Sequence, residues 1–443
     1  MTASSPVAPD ARPARPGARA WFALGILCFV YVLNFLDRQL LSILAKPIQD
    51  EMGVSDTQLG LLGGLYFAAF YCILAIPVGW LADRTNRVKV LAFSCALWSA
   101  ATAACGLSTN FGQLAASRMA VGVGEAGGVP PSYAIISDYF PSGTRGTALS
   151  LFNLGPPIGQ ALGVAFGASI AAAYSWRLAF IWVGVVGVIT ALIVWFAVRE
   201  PKKGGLDAPV APAPVATTDP VAPATTGFWS TGKIFFSNPM LRGISLACGA
   251  TQFVTYALLG FAVLFLQREK GMTLEEVAVW YALVVGVCVS IGMLASGRLI
   301  DRFSKRSKTA YAWLPAIGLI IAIPFFAGFV WAPTWELSLL FLTVPMALNY
   351  FYLSPSISLV QETVRPDQRV MSGALLLLVM NLIGLGLGPT YLGFASDFFQ
   401  ANGYENSLQM AFYTLIAFYI LAVVMFLGMV GKIRRQSARE ALS

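Results

Sequence analysis

The sequence predicts an all-α integral membrane protein whose twelve transmembrane helices form two pseudo-symmetric six-helix bundles. Three observations predict this fold: an apolar composition, twelve apolar stretches of membrane-spanning length, and patterns that repeat between the two halves. Of the 443 residues, 57% are hydrophobic and only 11% are charged, and the mean hydropathy is +0.71. Soluble domains carry about a quarter charged residues, so this composition fits the bilayer as solvent.

Apolar stretches close to the roughly 20 residues that cross a bilayer recur along the chain. They form two sets of six, which we number span one to span twelve. The first set covers residues 21–46, 56–82, 88–108, 111–137, 147–173 and 176–198, and the second covers 241–267, 275–299, 310–331, 336–360, 370–396 and 408–431. We therefore predict an N-terminal bundle over 21–198 and a C-terminal bundle over 236–431.

Three segments outside the spans cannot bury a core. Residues 1–20 are predicted to be a disordered cytoplasmic tail, and residues 432–443 a second cytoplasmic tail. Residues 199–235 are rich in Pro and Ala and are predicted to be a cytoplasmic linker. The Pro- and Ala-rich stretch is followed by FWSTGKIFFSNP at 228–239, which has the pattern of a short interfacial helix.

Lysine and arginine are distributed unequally between the two ends of the spans. Of the 29 such residues, 23 fall on the side of the N-terminus, 4 on the opposite side and 2 within spans. Positive residues mark the cytoplasmic side, so we predict a multi-pass protein of the cell inner membrane with both termini cytoplasmic. The same bias accounts for the net charge of +8, so we expect no nucleic-acid partner.

Composition also argues against enzymatic chemistry. The chain has no histidine, and its six cysteines lie within apolar stretches, so we expect no metal, no cofactor and no disulfide. A membrane enzyme is disfavoured because no nucleophile–base pair is evident, and a receptor because no signalling domain is attached. We expect a monomer.

The two halves repeat three patterns in the same order. GWLADRTNR at 79–87 recurs as GRLIDRFSKR at 297–306, and NLGPPIG at 153–159 has a counterpart in NLIGLGLGP at 381–389. Asp138, Pro141 and Arg145 are echoed by Glu362, Pro366 and Arg369. Such a parallel repeat is typical of one class of secondary transporters.

The first of these motifs resembles the cytoplasmic loop motif of the major facilitator superfamily. YVLNFLDRQLL at 31–41 and RMAVGVGEAGGVPPSYAIISDYFP at 118–141 are similar to the Spinster branch, whose members carry lysophospholipids and sphingosine phosphates. The resemblance implies the major facilitator fold and a loop that locks the inner side closed. It assigns this gating role to a set of charged residues: Asp83, Arg84, Arg87, Asp138, Arg145, Asp301 and Arg302. The loop motif departs from the usual pattern at Asn86 and Ser304.

Four charges lie deep within spans, where each costs about 2.5–3.5 kcal/mol on insertion scales and so indicates function. They are Asp37, Arg38, Arg118 and Glu125. Helical rise places Asp37 level with Arg118, and Glu125 about 10 Å further toward the cytoplasm on the face of Arg118. We predict that Asp37 and Glu125 carry protons, with Arg118 shared between them. A static Asp37–Arg118 pair, and an Arg38 turned toward Glu125, are the alternatives.

A solute cavity is predicted between this charged wall and an apolar second half. Its expected lining is Arg118, Arg38, Tyr31, Asn34, Gln252, Tyr256, Asn349 and Tyr350. A cavity charged on one side and apolar on the other suits an amphipathic anion. We therefore predict a proton-coupled, alternating-access transporter of a lysophospholipid or sphingoid-phosphate-like lipid. A symporter of small organic anions and a multidrug proton antiporter are the alternatives within transport.

Overall fold

The computed structural model describes residues 16–203, 228–365 and 368–440, and each of its regular elements is a helix. Most of the predicted N-terminal tail, the centre of the linker and the last three residues lie outside these ranges. The interfacial helix predicted before span seven is present as Phe228–Ser237.

The first half follows the predicted order of spans. Spans one, two, three, five and six are Ala18–Ile43, Asp56–Arg84, Arg87–Leu107, Gly143–Ala173 and Trp176–Ala197. Span four consists of two shorter helices, Phe111–Glu125 and Val129–Tyr139, on either side of a turn at 126–128. A short helix, Ala45–Met52, follows span one.

The second half repeats this arrangement. Spans seven to twelve are Pro239–Arg268, Leu274–Phe303, Ala310–Trp331, Trp335–Thr363, Met371–Ala401 and Ser407–Arg435. Within the described ranges, eleven helices are long and apolar enough to cross a membrane, and the broken span four supplies the twelfth crossing. The predicted fold class is thus confirmed.

Interruptions of the helices occur at matching places in the two halves. Span four turns at 126–128 and its counterpart, span ten, at 349–352. Span five breaks after Phe152, while span eleven widens into a π-helix at Asn381–Leu387. Irregular backbone at membrane depth is tolerated where it lines a cavity, and π-helical turns are frequent at functional sites. The repeat seen in the sequence therefore extends to the breaks that shape the interior.

Glycines of VGVGEAGG bring span four directly against its neighbours. A Cβ on Gly122 would lie 2.5 Å from the Phe67 carbonyl oxygen, and one on Gly124 would lie 2.5 Å from the Trp98 amide nitrogen. No residue with a side chain fits at either position. The close approach holds Glu125, the last residue of the first half of span four, inside the bundle.

We name the end of the bundle that carries Ile43 and Asp56 the outer end, and the opposite end the inner end, following the charge bias. Spans two and eleven touch at the outer end, where a Cβ on Gly60 would lie 2.4 Å from the Pro389 carbonyl oxygen. The Thr390 hydroxyl also accepts a hydrogen bond from the Leu65 amide at 3.2 Å. The two halves are therefore in backbone contact at the outer end.

Candidate functional site

The four deep charges form two ion pairs between spans one and four. Arg38 Nε donates to Glu125 Oε2 at 2.7 Å, and Arg118 Nη1 lies 3.7 Å from Asp37 Oδ1. The side chains of Glu125, Asp37 and Arg118 are 0%, 1% and 2% exposed, and that of Arg38 is 12% exposed. Each carboxylate thus has its own arginine.

This pairing is one conformation, so the predicted movement of Arg118 between Asp37 and Glu125 stays a prediction. Arg118 contacts Asp37, as its depth predicts, but Glu125 is held by Arg38 rather than by Arg118. Arg38 follows Asp37 by one residue, which rotates it by about 100° around the helix and lets it reach Glu125. The alternative in which Arg38 turns inward describes the observed geometry.

The two pairs differ in tightness. The Arg38–Glu125 contact has hydrogen-bond geometry, whereas the Arg118–Asp37 separation exceeds hydrogen-bond range. Among the described residues, Asp37 Oδ1 and Arg118 Nη1 have no hydrogen-bond partner. Instead, the Thr102 hydroxyl donates to Asp37 Oδ2 at 2.6 Å. Thr102 was not predicted, because one threonine in an apolar span gives no signal of its own.

Aromatic rings of spans one and two surround Arg38. Its guanidinium carbon lies 4.9 Å from the ring centres of Phe35 and Tyr71 and 5.1 Å from that of Phe67. Phe67 also lies 5.3 Å from the Arg118 guanidinium. Cation–π contacts stabilise a desolvated arginine by roughly 2 kcal/mol. Phe67 and Tyr71 are four residues apart on one helix face, a spacing that could have indicated their shared role.

A small enclosed cavity lies beside these arginines. Arg38, Arg118 and Phe35 line one side, and Gln160, Tyr256 and Leu259 line another. Its volume is about 50 Å³, which admits a few water molecules and no lipid. Beyond it, toward the outer end, the halves are in contact.

Polar residues of the second half face this region to different extents. The Tyr256 hydroxyl lies beside Arg38 and Gln252, and the Gln252 amide donates to Asn381 Oδ1 at 3.4 Å. Tyr350 lies beside Gln160 of the first half. Asn381, which begins the π-helix of span eleven, was not predicted.

Asn349 lies elsewhere. Its side-chain amide exchanges hydrogen bonds of 2.9 and 3.0 Å with the Tyr419 hydroxyl, and the residue is 1% exposed. These bonds join spans ten and twelve within the second half. Asn349 therefore does not line the cavity beside the arginines in this conformation, and its contact with solute stays a prediction.

Tyr31 and Asn34 face the turn of span four. Tyr31 stacks on Phe152 at 4.4 Å, and Asn34 is 2% exposed beside Ser132 and Gly128. Within the described part of the chain, neither polar atom of the Asn34 side chain has a hydrogen-bond partner. Both residues precede Asp37 on span one and therefore lie nearer the inner end than the Asp37–Arg118 pair.

At the inner end, Arg87 organises the predicted loop. It binds Asp138 at 2.6 Å and Glu200 at 2.7 Å, and Glu200 also accepts a 2.9 Å hydrogen bond from the Val88 amide. Glu200 directly follows span six, and sequence reasoning placed it in the linker without a role. Lys203 donates to the Asp83 carbonyl oxygen at 2.5 Å.

The other predicted gating residues lie at the surface of the same end. The Asp83 side chain is exposed, as are Arg84, Asp301 and Arg302. Arg84 lies over the Trp80 ring at 4.1 Å, and Arg145 donates to the Phe140 carbonyl oxygen at 3.3 Å. The family resemblance implies that Asp83 contacts a helix N-terminus of the other half; among the described residues, no hydrogen bond or ion pair joins the Asp83 side chain to that half in this conformation.

At the outer end, Asp56 joins the two halves. Arg268 of span seven donates to both of its carboxylate oxygens, at 3.0 and 2.8 Å. Gln49 and Ser396 donate to the same carboxylate at 2.6 and 2.5 Å. Asp56 is 1% exposed, although its place at the start of span two made it look like a shallow loop residue.

Asp397 of span eleven completes this outer network. Its carboxylate accepts hydrogen bonds from the Asp56 and Thr57 amides at 3.1 and 2.9 Å. These amides belong to the first turn of span two, where backbone N–H groups lack helical partners and a negative charge is favourable. A carboxylate of one half therefore caps a helix of the other.

Comparisons with known proteins agree with this geometry. A family model described as Major Facilitator Superfamily matches residues 27–389. An MFS-type efflux pump of Mycolicibacterium smegmatis is 31% identical over 404 residues, covering 90% of each chain. Protein spinster homolog 1 of Xenopus laevis is 27% identical, covering 92% of this chain and 78% of its own.

A solved structure is similar throughout. It is a bacterial homologue of the human lysosomal transporter Spinster, in an inward-facing and unoccupied conformation. It is 28% identical, with a TM-score of 0.84, and the match covers 94% of this chain and 98% of that one. These relatives are transporters and not enzymes. The chain therefore belongs to the Major Facilitator Superfamily of multi-pass membrane transporters, within its Spinster branch.

Proposed function

We propose that this transporter is proton-coupled and carries an amphipathic anionic solute of the lysophospholipid or sphingoid-phosphate type. The observation that carries the proposal is the pair of buried ion pairs, Asp37–Arg118 and Glu125–Arg38, beside a cavity whose opposite wall is mainly aromatic and apolar. An anionic head would bind at the arginines. The apolar tail would lie along the second half.

Coupling follows from the competition for the two arginines. A solute phosphate that binds Arg38 or Arg118 weakens the hold of that arginine on its carboxylate, and an unpaired buried carboxylate takes up a proton. Asp37, held at 3.7 Å, is the carboxylate more easily released. Release of the proton restores the ion pair and displaces the anion.

Alternating access would combine this exchange with two gates. The outer contacts around Asp56 and Asp397 close one side in the observed conformation. The loop around Asp83 and Arg87 would close the other side, as the family resemblance implies. Each gate joins the halves in only one of the two states.

An efflux pump for other amphipathic compounds is the second candidate, favoured by the 31% identity to a mycobacterial efflux pump. The balanced charges of the cavity, two acids and two arginines, suit an anion better than a cation. A symporter of small organic anions would need more polar groups than the second half offers around Gln252 and Asn381.

Transport by the purified chain in proteoliposomes tests the proposal. A pH gradient of either sign is imposed, and lysophospholipids, sphingosine phosphate, small organic anions and cationic drugs are compared. Movement of a single-chain phospholipid that depends on the gradient supports the proposal. Gradient-driven movement of cationic drugs alone would instead indicate a multidrug efflux pump, and movement of small organic anions alone would indicate an anion symporter.

The topology is expected to place both termini and the linker in the cytoplasm. Single cysteines introduced at residues 210 and 440 should resist a membrane-impermeant thiol reagent in intact cells and react once the membrane is permeabilised. The basis is the distribution of lysine and arginine. Ready labelling in intact cells would reverse the assignment, and a cysteine at exposed outer residue 405 serves as the reactive control.

Asp83→Asn is expected to shift the conformational equilibrium toward the state with an open inner end. The Asp83 side chain is exposed in the present, outer-closed conformation, so its loss should destabilise only the opposite state. Spin-label distances between residues 85 and 305 should lengthen on average. The control variant Glu405→Gln, which removes an exposed acid at the outer end, should leave these distances unchanged. If Asp83→Asn also leaves them unchanged, the loop has no gating role and its charges reflect the membrane topology alone.

A further inference from the structure

A basic groove lies at the inner end of the second half, away from the deep charges. It forms where the interfacial helix Phe228–Ser237 meets the end of span twelve, and its volume is about 800 Å³. Three of its eight lining residues are cations, Lys233, Lys432 and Arg435, and none is acidic. The mechanism proposed above assigns this groove no role.

The interfacial helix is built to lie at a membrane surface. Thr231 and Phe235, one turn apart, are 2% and 0% exposed and fix the helix to the protein. Ile234 and Phe236, on either side of Phe235 around the helix, are 41% and 44% exposed, and Ile234 lines the groove with Lys233. Apolar and cationic side chains next to one another are typical of helices at the level of lipid headgroups.

Span twelve supplies the other two cations. Lys432 and Arg435 are three residues apart and therefore share one helix face. The Lys432 ammonium lies 3.4 Å from the position of a Cβ on Gly243, so its stem lies against span seven. Among the described residues, none of the three cations has a carboxylate within ion-pair distance.

We propose that this groove binds the headgroup of an anionic phospholipid, with the phosphate between Lys233, Lys432 and Arg435 and an acyl chain over Ile234. The exposed apolar side chains favour a lipid over a soluble phosphate, since a free anion would gain nothing from them. Basic pockets between helices at the cytoplasmic surface are known to hold such headgroups. The bound lipid would join the interfacial helix to spans seven and twelve.

Native mass spectrometry of the full chain, released from nanodiscs of phosphatidylglycerol or phosphatidylcholine, tests the site. We expect retained phosphatidylglycerol on the unaltered chain. The double variant Lys432→Gln/Arg435→Gln should weaken this binding by about 25-fold, since each cation near an anionic lipid contributes roughly fivefold. The matched variant Lys305→Gln/Arg306→Gln, which removes two cations from the same end, should bind like the unaltered chain.

Three outcomes would overturn the proposal. They are equal loss in both double variants, no preference for phosphatidylglycerol over phosphatidylcholine, and displacement of the lipid by millimolar inorganic phosphate. A variant that fails to fold is detected by its melting temperature in phosphatidylcholine. In that case the salt dependence of the unaltered chain tests the proposal. Its retention of phosphatidylglycerol must fall steeply as the salt concentration is raised, and retention that is independent of salt contradicts the site.

Discussion

Glu125→Gln is expected to lower proton-driven transport by roughly 100-fold or more while leaving the protein folded. Glutamine keeps the shape of the side chain but cannot neutralise Arg38, which donates to Glu125 at 2.7 Å in a buried site. An arginine left without its buried carboxylate costs about 3 kcal/mol or more, which corresponds to about 100-fold in rate when it opposes the transition between states. Solute transport should then no longer respond to the pH gradient.

Asp37→Asn should also abolish the response of transport to the pH gradient, because Asp37 is the carboxylate that the proposed coupling releases. Its effect on the transport rate should be smaller than that of Glu125→Gln, since its pair with Arg118 is the looser one at 3.7 Å. Asparagine can still accept the hydrogen bond from Thr102, so folding should be preserved. The conformational equilibrium, followed by spin-label distances across the pH range, should lose its pH dependence in at least one of the two variants.

Glu269→Gln is the appropriate control for both variants. Glu269 is a partly buried carboxylate at the outer end, where it accepts hydrogen bonds from the Leu408 and Gln409 amides. Its burial raises its pKa, so it could itself contribute a pH response, and the control tests this directly. If Asp37→Asn and Glu125→Gln both keep the pH response of the unaltered chain in transport and in distances, the deep pairs are structural and the coupling mechanism is wrong.

The sequence predicted the fold well because its signals are local. Span lengths follow from hydropathy, and the repeat follows from short motifs, so the order of the spans is confirmed. The deep charges were also identifiable, because a carboxylate or guanidinium within an apolar span is costly wherever it points. Their partners were harder to predict, since helical rise gives depth but leaves the rotation of Arg38 undetermined until span four is packed against span one.

The outer network could not be predicted, for a different physical reason. Asp56, Arg268 and Asp397 lie at the ends of their spans, where charge is inexpensive and ordinarily solvated. Only the meeting of the two halves buries Asp56 to 1% exposure, and that contact depends on the relative orientation of the bundles. Asn349 shows the converse, since a polar residue in an apolar span can be hydrogen-bonded inside its own half, here by Tyr419; its contact with solute stays a prediction.

Asp56→Asn is expected to shift the population strongly toward a state with an open outer end. The change removes the bidentate ion pair with Arg268 across the two halves while preserving the size of the side chain. Hydrogen bonds to charged groups contribute about 1.5–3 kcal/mol each, and loss of about 2 kcal/mol corresponds to roughly 30-fold in the equilibrium between states. Spin labels at exposed residues 50 and 400, on a background without native cysteines, should report longer distances at the outer end.

Glu51→Gln is the matched control, since it removes an outer ion pair that lies within the first half alone. Glu51 accepts hydrogen bonds from Arg177 at 2.7 Å and from Trp176 at 2.6 Å, and these hold its pKa below the ordinary value. It is therefore ionised at neutral pH, and its substitution removes a real charge without touching the contact between halves. Distances between residues 50 and 400 should stay short in this control. If these distances lengthen equally in both variants, the opening results from a general loss of negative charge at the outer end. If Asp56→Asn leaves them short, the backbone contacts of Gly60 with Pro389 close this end without help from the ion pair.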